Sequence, residues 1–235
     1  MAVGFDTFVT SAQFTTTPDP FTVSYVPSGT PRGILIFGFS MNAGTDVEFD
    51  ATATYGGVTA ARTSPGFAGD TVGEPVAVCC YFLGASVPTG TQTVSVGHSA
   101  SANPKYVMAV GLTAAADLEV LDAEVLSGAG TNPQVTLDSG ATTAIRIFAA
   151  CSGLNAPGNL TIISGGTAVS SVDAGARVWV SGRQTTPGSG STAVGWTATT
   201  ASRAMVGVAV AEVAGAAAGR PVRRRRSSWP ISLGA

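Results

Sequence analysis

The chain has 235 residues, of which 45% are hydrophobic and only 11% are charged. That length suits one large all-β domain or two small ones, and the apolar share is ample for a buried core. Five of the twelve Lys and Arg residues lie after residue 219, so the preceding body holds seven basic residues against fourteen acidic ones. This balance disfavours nucleic acid as a partner of the body.

A surface this poor in charge tends to self-associate unless partners cover it, which points to an assembly subunit. The N-terminus lacks the basic and apolar blocks of a signal peptide, and no stretch has the length and apolarity of a membrane span. We therefore expect synthesis in the cytoplasm and no membrane partner. Cys79, Cys80 and Cys151 lie in apolar runs without metal-ligand spacing, so we expect buried thiols and no cofactor.

Gly and Pro recur at short intervals between runs rich in Val, Thr, Ile and Phe, a pattern typical of β-sandwiches and barrels. The strands predicted in the first half are 7–14, 21–26, 33–41, 47–54, 76–83 and 91–97. Those predicted in the second half are 106–112, 118–126, 143–151, 160–163, 176–183, 192–198 and 203–213. The continuous apolar runs GILIFGF and VAVCCYFL predict central strands that are covered on both faces. No window combines the helical period with caps at both ends, so we predict very little helix.

These elements predict an all-β fold, an antiparallel, jelly-roll-like β-sandwich that occupies residues 1–213 as one domain. An Ala/Gly linker (214–220) and an extended C-terminal peptide (221–235) follow it. Tyr55-Gly56-Gly57 predicts a turn with two glycines at positive φ. The alternating strand around Trp196 predicts that its indole packs in the core. No internal repeat is evident in the sequence.

Several segments, taken in order, resemble a β-sandwich domain of bacteriophage structural proteins and of some bacterial surface proteins. They are GILIFGF, ATATYGGVTAART, CCYFLGASVPTGTQTVSV, YVMAVGLTAAADLEVLDA, FAACSGLNAPG and TAVGWTATTASRAMVGVAVAEV. Because these are turn and core motifs, they specify a fold better than a function. The resemblance implies a virion protein, with a minor tail protein as the first expectation and a capsid decoration protein as the second. Other virion proteins would be its partners, in a symmetric homo-oligomeric assembly.

Two polar sites are candidates for catalysis. On a strand, Asp46, Glu48 and Asp50 share one face, as a glycosidase carboxylate pair or a Ca²⁺ site would require. We prefer a solvated strand face, because the sequence shows no second carboxylate cluster and no calcium loop. His98 follows a predicted strand, and without a nucleophile elbow a lone polar loop residue is the simpler interpretation. We therefore do not expect an enzyme.

Two larger sets have competing interpretations. The acidic set could supply metal ligands, but the wet face of a strand explains it more simply: Asp117, Glu119, Asp122 and Glu124. The aromatic set would serve a carbohydrate-binding module in host adsorption: Tyr25, Tyr55, Tyr81, Tyr106 and Trp179. That function requires an exposed pair of rings on one sheet face, because sugars stack on such rings.

The C-terminal peptide is the strongest candidate for partner binding. It joins a basic block to alternating apolar residues: Arg223, Arg224, Arg225, Arg226, Trp229, Ile231 and Leu233. In an extended peptide the three apolar residues share one face, as β-augmentation or groove binding needs, and Pro230 restricts the peptide to a sheet edge. The arginines would meet an acidic patch on the partner. An inert disordered tail and a nucleic-acid arm are the alternatives.

Overall fold

The computed structural model describes residues 3–11, 14, 19–41, 49–70, 76–98, 104–129, 132–153, 161–163, 165–173, 177–184, 188–197 and 202–213. These ranges form sixteen strands and contain no helix. All their strand pairs are antiparallel, which confirms the predicted all-β antiparallel class. The predicted linker (214–220) and C-terminal peptide (221–235) lie outside the described residues.

The first eight strands end before residue 114. They are β1 (Gly4–Thr10), β2 (Phe21–Tyr25), β3 (Gly33–Met41), β4 (Phe49–Tyr55), β5 (Val58–Asp70), β6 (Val76–Leu83), β7 (Gln92–His98) and β8 (Lys105–Thr113). The next eight are β9 (Leu118–Ala129), β10 (Gln134–Asp138), β11 (Ile145–Gly153), β12 (Thr161–Ile162), β13 (Gly166–Asp173), β14 (Arg177–Gln184), β15 (Ser191–Thr197) and β16 (Ser202–Glu212). Every predicted strand has a counterpart, and three strands escaped prediction: β5, β10 and β13.

The strand order contains an internal repeat. The first eight strands form one sheet in the order β1-β8-β3-β6-β5-β4-β7-β2. The second eight form a five-stranded sheet, β9-β16-β11-β14-β13, and a three-stranded sheet, β12-β15-β10. Each strand of the second half takes the place of the strand eight positions earlier, and the order 1-8-3-6 facing 2-7-4-5 is that of a jelly roll. The described residues therefore form two jelly rolls in tandem, with a repeat that the sequence does not reveal.

Three apolar clusters fill the spaces between the sheets. The first-half core, which includes Phe21, Ile36 and Tyr55, lies inside the first jelly roll, and the second-half core, which includes Phe148 and Trp196, lies inside the second. A third cluster, the shared core, lies between β3, β6 and β8 of the first half and β11, β14 and β16 of the second. The two jelly rolls therefore pack back to back through their central strands.

Alternation along β3 shows why a continuous apolar run was needed. Phe37 and Phe39 point into the shared core, whereas Ile34 and Ile36 point into the first-half core. All nine residues of β3 are buried, which confirms the predicted two-sided burial. The predicted Gly-Gly turn is also present, since Gly56 and Gly57 have φ of 57° and 79° between β4 and β5.

Candidate docking interface

The residues predicted to bind a partner all lie outside the described part of the chain. They are Arg223, Arg224, Arg225, Arg226, Trp229, Ile231 and Leu233. The structure therefore bears on docking through the surfaces that could receive such a peptide. Among these surfaces, the outer edge of β9 combines a long strand with the acidic set noted in the sequence.

The strand β9 is the terminal strand of the five-stranded sheet. It pairs with β16 from Ala129 opposite Ser202 to Leu118 opposite Glu212. Within the described ranges, no strand pairs with the other side of β9. An edge of this kind presents unpaired backbone N–H and C=O groups that can accept a further strand.

The acidic set lies along this edge and is not gathered into a metal site. Asp117, Glu119 and Glu124 are exposed. Asp122 is half-buried, and its carboxylate accepts a hydrogen bond of 2.6 Å from the backbone N–H of Asp138. Among the described residues, no group of three or more His, Cys, Asp or Glu side chains could hold a metal ion. The predicted wet strand face is therefore the interpretation that fits.

Glu212 extends the negative surface onto β16, directly across from Leu118. Its carboxylate accepts a hydrogen bond of 2.6 Å from the backbone N–H of Ala115. This hydrogen bond lowers the pKa of Glu212, so the side chain stays anionic well below neutral pH. Arg203 lies at the opposite end of the strand pair, where its guanidinium donates to the carbonyl of Asn132 at 2.9 Å. The negative charge is thus concentrated where β9 begins.

Apolar side chains flank the acidic residues on β9. Val120 and Val125 are partly buried against the shared core, and Leu121 and Leu126 against the second-half core. The register shifts opposite Leu121, because Ala209 pairs with Asp122 and Val210 with Val120. The edge therefore offers apolar surface on both faces, with a bulge that increases its local twist.

The catalytic candidates are not brought together. Asp46 and Glu48 lie outside the described residues, and Asp50 is exposed beside the backbone of Gly97. The prediction that His98 lies in a surface loop is wrong, because His98 ends β7 and is buried. Its ring packs edge-on against Phe49 at 4.5 Å between centroids.

The aromatic set is buried. The exposed fractions are between 0% and 5% for every member: Tyr25, Tyr55, Tyr81, Tyr106 and Trp179. The hydroxyl of Tyr81 donates to the backbone carbonyl of Asp50 at 2.8 Å. These side chains do not form the exposed platform that a carbohydrate-binding module requires.

The cysteines are free and buried, as predicted. Burial raises the pKa of Cys79 to about 12 and raises the pKa values of Cys80 and Cys151 as well. All three thiols are therefore protonated and unreactive at neutral pH. In the described ranges, the structure contains no helix with the length and apolarity needed to cross a membrane.

Arg146 is a buried charged residue that sequence reasoning missed. It lies on β11, with no solvent exposure. Its guanidinium donates to Gln184 Oε1 at 2.5 Å, to Ser139 Oγ at 3.1 Å and to the carbonyl of Gly190 at 2.6 Å. Burial lowers the pKa of Arg146, and nearby Asp138 opposes that shift. Its role is structural, since it connects the turn after β10 to the segment before β15. In the sequence, the position of this arginine between apolar residues in AIRIF was the feature that could have indicated its burial.

No protein-family model, no curated protein and no solved structure matches this chain. Its function is therefore inferred from the fold, the surface and the residue pattern.

Proposed function

We propose that this protein is a non-enzymatic structural subunit of a bacteriophage virion, a minor tail protein that docks on its neighbours through residues 221–235. The main support for the proposal is the position, in the fold, of the segments that resemble virion proteins. GILIFGF belongs to β3, CCYFL to β6, YVMAVGL to β8, FAACSG to β11 and AMVGVAV to β16. These strands enclose the shared core, so the resemblance covers the framework that joins both jelly rolls.

The distribution of lysine also supports an assembly role. Native β-proteins often protect their exposed edges with lysine, which prevents pairing with other chains. Lys105 is the sole lysine of the sequence, and it is fully buried. None of the strands at the edges of the three sheets therefore carries an exposed lysine: β1, β2, β9, β10, β12 and β13. This composition suits a protein whose edges meet partners.

Jelly rolls also occur in lectins, and burial of the aromatic set disfavours that use here. A capsid decoration protein would share the fold and the docking peptide and would differ in location. We prefer the tail because the resemblance is to tail-module proteins more than to capsid cement proteins.

The proposal is tested on particles from a host that carries the gene. We expect mass spectrometry to detect the protein in purified virions and immunogold labelling to place it on the tail. Deleting residues 220–235 should leave a folded protein that no longer enters particles, because the docking peptide is gone. A chain that is absent from virions would contradict the proposal, and so would normal incorporation of the truncated chain. Label on the head would favour the decoration role.

A further inference from the structure

We propose that the receiving surface for residues 221–235 is the free edge of β9 on a second copy of this chain. The inference rests on the proposed function for its docking peptide and adds the identity of the partner. It predicts a head-to-tail assembly, in which each copy offers a C-terminal peptide and an acceptor edge.

The backbone of β9 is suited to strand addition. The strand runs from Leu118 to Ala129, which is long for an edge strand, and within the described ranges no strand forms a ladder with its outer side. The first residue is the exception to a free backbone, because the N–H of Leu118 donates to the carbonyl of Gly84. Alternate residues of an added antiparallel strand direct their N–H groups toward and away from the acceptor. If Trp229 and Ile231 bond to β9, Pro230 faces outward, where its missing N–H costs nothing.

Charge complementarity selects β9 over the other edges. Asp117 immediately precedes β9 and Glu119 and Glu124 lie on it, and all three are exposed. Glu212 adds a carboxylate on the neighbouring strand. The peptide carries four consecutive arginines, 223–226, before its apolar residues. Opposite charges at this spacing set the register of the incoming strand and speed its encounter, and salt screens both effects.

The apolar part of the peptide also has a counterpart on β9. Val120 and Leu121 face opposite sides of the strand, and both keep part of their surface exposed, as do Val125 and Leu126. An added strand that carries Trp229, Ile231 and Leu233 on one face would cover one of these sides. Burial of the indole would supply most of the affinity, because tryptophan contributes the largest apolar area.

The chain path favours a peptide from another copy. The last described residue, Val213, donates its N–H to the carbonyl of Asp117 at 2.8 Å, so β16 leaves the sheet where β9 enters it. From there, a peptide on the outer side of its own β9 would run parallel to that strand. The entry of β9 is also tied to the first half, since Leu118 N–H donates to the carbonyl of Gly84 at 3.2 Å. Antiparallel addition, the stronger arrangement, is open to the peptide of a second copy.

The test measures self-association of the full-length purified protein by sedimentation velocity over a range of concentration and salt. Glu119→Gln with Glu124→Gln should weaken association about tenfold at low salt, because two exposed charge pairs are lost. Thr22→Lys with Ser24→Lys is the control, since it changes the net charge equally on the exposed face of the edge strand β2. Trp229→Ala should weaken association at both low and high salt.

A charge exchange separates two copies from one. Variant A carries Glu119→Arg and Glu124→Arg, and variant B carries Arg224→Glu and Arg225→Glu. Each should be monomeric alone, and a mixture of the two should associate, because the unaltered peptide of variant A then meets the unaltered acidic edge of variant B. A wild-type chain that stays monomeric, a mixture that stays monomeric, or equal effects of the β9 and β2 variants would overturn the inference.

The outcome also distinguishes this inference from the proposed function. If the β9 variants associate normally while the truncated chain is lost from particles, another virion protein receives the peptide and the proposed function stands. If the purified chain associates through β9 but is absent from virions, the proposed function is wrong and the inference stands.

Discussion

The two jelly rolls share a strand order and differ in how they close. In the first half, β5 (Val58–Asp70) pairs with β4 and then with β6, so eight strands form one continuous sheet. In the second half, β13 (Gly166–Asp173) pairs with β14, and β12 (Thr161–Ile162) pairs with β15. No ladder joins β12 to β13 in the described residues. One long strand with a bulge between Arg62 and Phe67 thus makes one sheet where the other half has two.

The interiors of the two halves also differ in the interactions that close them. The first-half core contains three tyrosines, and the hydroxyl of one of them, Tyr25, donates to the carbonyl of Thr7 at 3.1 Å. Burial raises the pKa of Tyr55 to about 12. The second-half core combines the Phe148–Trp196 pair with the guanidinium of Arg146 near its end. The first half is closed by backbone pairing, whereas hydrogen bonds from one side chain help to close the second.

The largest expected effect concerns the shared core. Phe37→Ala should cost about 3–5 kcal/mol of unfolding free energy and should destabilise both halves together, because its ring lies between them. Phe148→Ala has the same chemistry inside the second half, and its loss should fall mainly on that half. Hydrogen exchange followed by mass spectrometry would report protection for β3 and β11 separately in each variant.

Equal loss of protection in both halves for Phe148→Ala would mean that the chain unfolds as one unit, as the predicted single domain over residues 1–213 requires. Loss confined to the first half for Phe37→Ala would mean that the shared core does not couple the jelly rolls. The two halves would then be independent domains, each with its own unfolding free energy.

A smaller effect is expected for the side chain that helps to close the second half. Arg146→Met keeps much of the length of the side chain and removes the donors to Ser139, Gln184 and Gly190, which should cost about 1–3 kcal/mol. Arg32→Met is the matched control, since Arg32 is exposed. Urea denaturation would measure both. Equal stability of the two variants would show that Arg146 is not needed for closure.

Strands with strong apolar patterns were predictable, and the strands that join sheets were not. The residues of β3 and β6 are apolar on both faces because both faces are covered, so the pattern alone located them. Much of β5 consists of Ala, Thr and Gly around Pro65, and such a composition indicates a turn. Its strand conformation depends on neighbours that come from distant parts of the chain, β4 and β6. The same holds for β13, whose Ala and Ser residues carry little periodicity.

The candidate interface was predictable in its composition but not in its geometry. The acidic set was visible in the sequence, and its position on a sheet edge depends on β16 pairing with only one side of β9. His98 was expected in a loop because a lone histidine is polar. Its burial depends on contact with Phe21 and Phe49, which the fold brings from other strands.

The smallest expected effect concerns the turn at which the two halves differ in closure. Gly57→Ala should cost about 1 kcal/mol, because alanine resists a φ of 79° and nothing else lies within reach of the added methyl group. Gly57→Asn is the control, since asparagine tolerates this conformation, and it should be nearly neutral.

Gly165, at φ 64°, holds the corresponding turn between β12 and β13. Gly165→Ala should cost as much in urea denaturation but should reduce hydrogen-exchange protection less, because no β12–β13 ladder depends on that turn. Equal loss of protection in both hairpins would indicate that the second half closes as the first does.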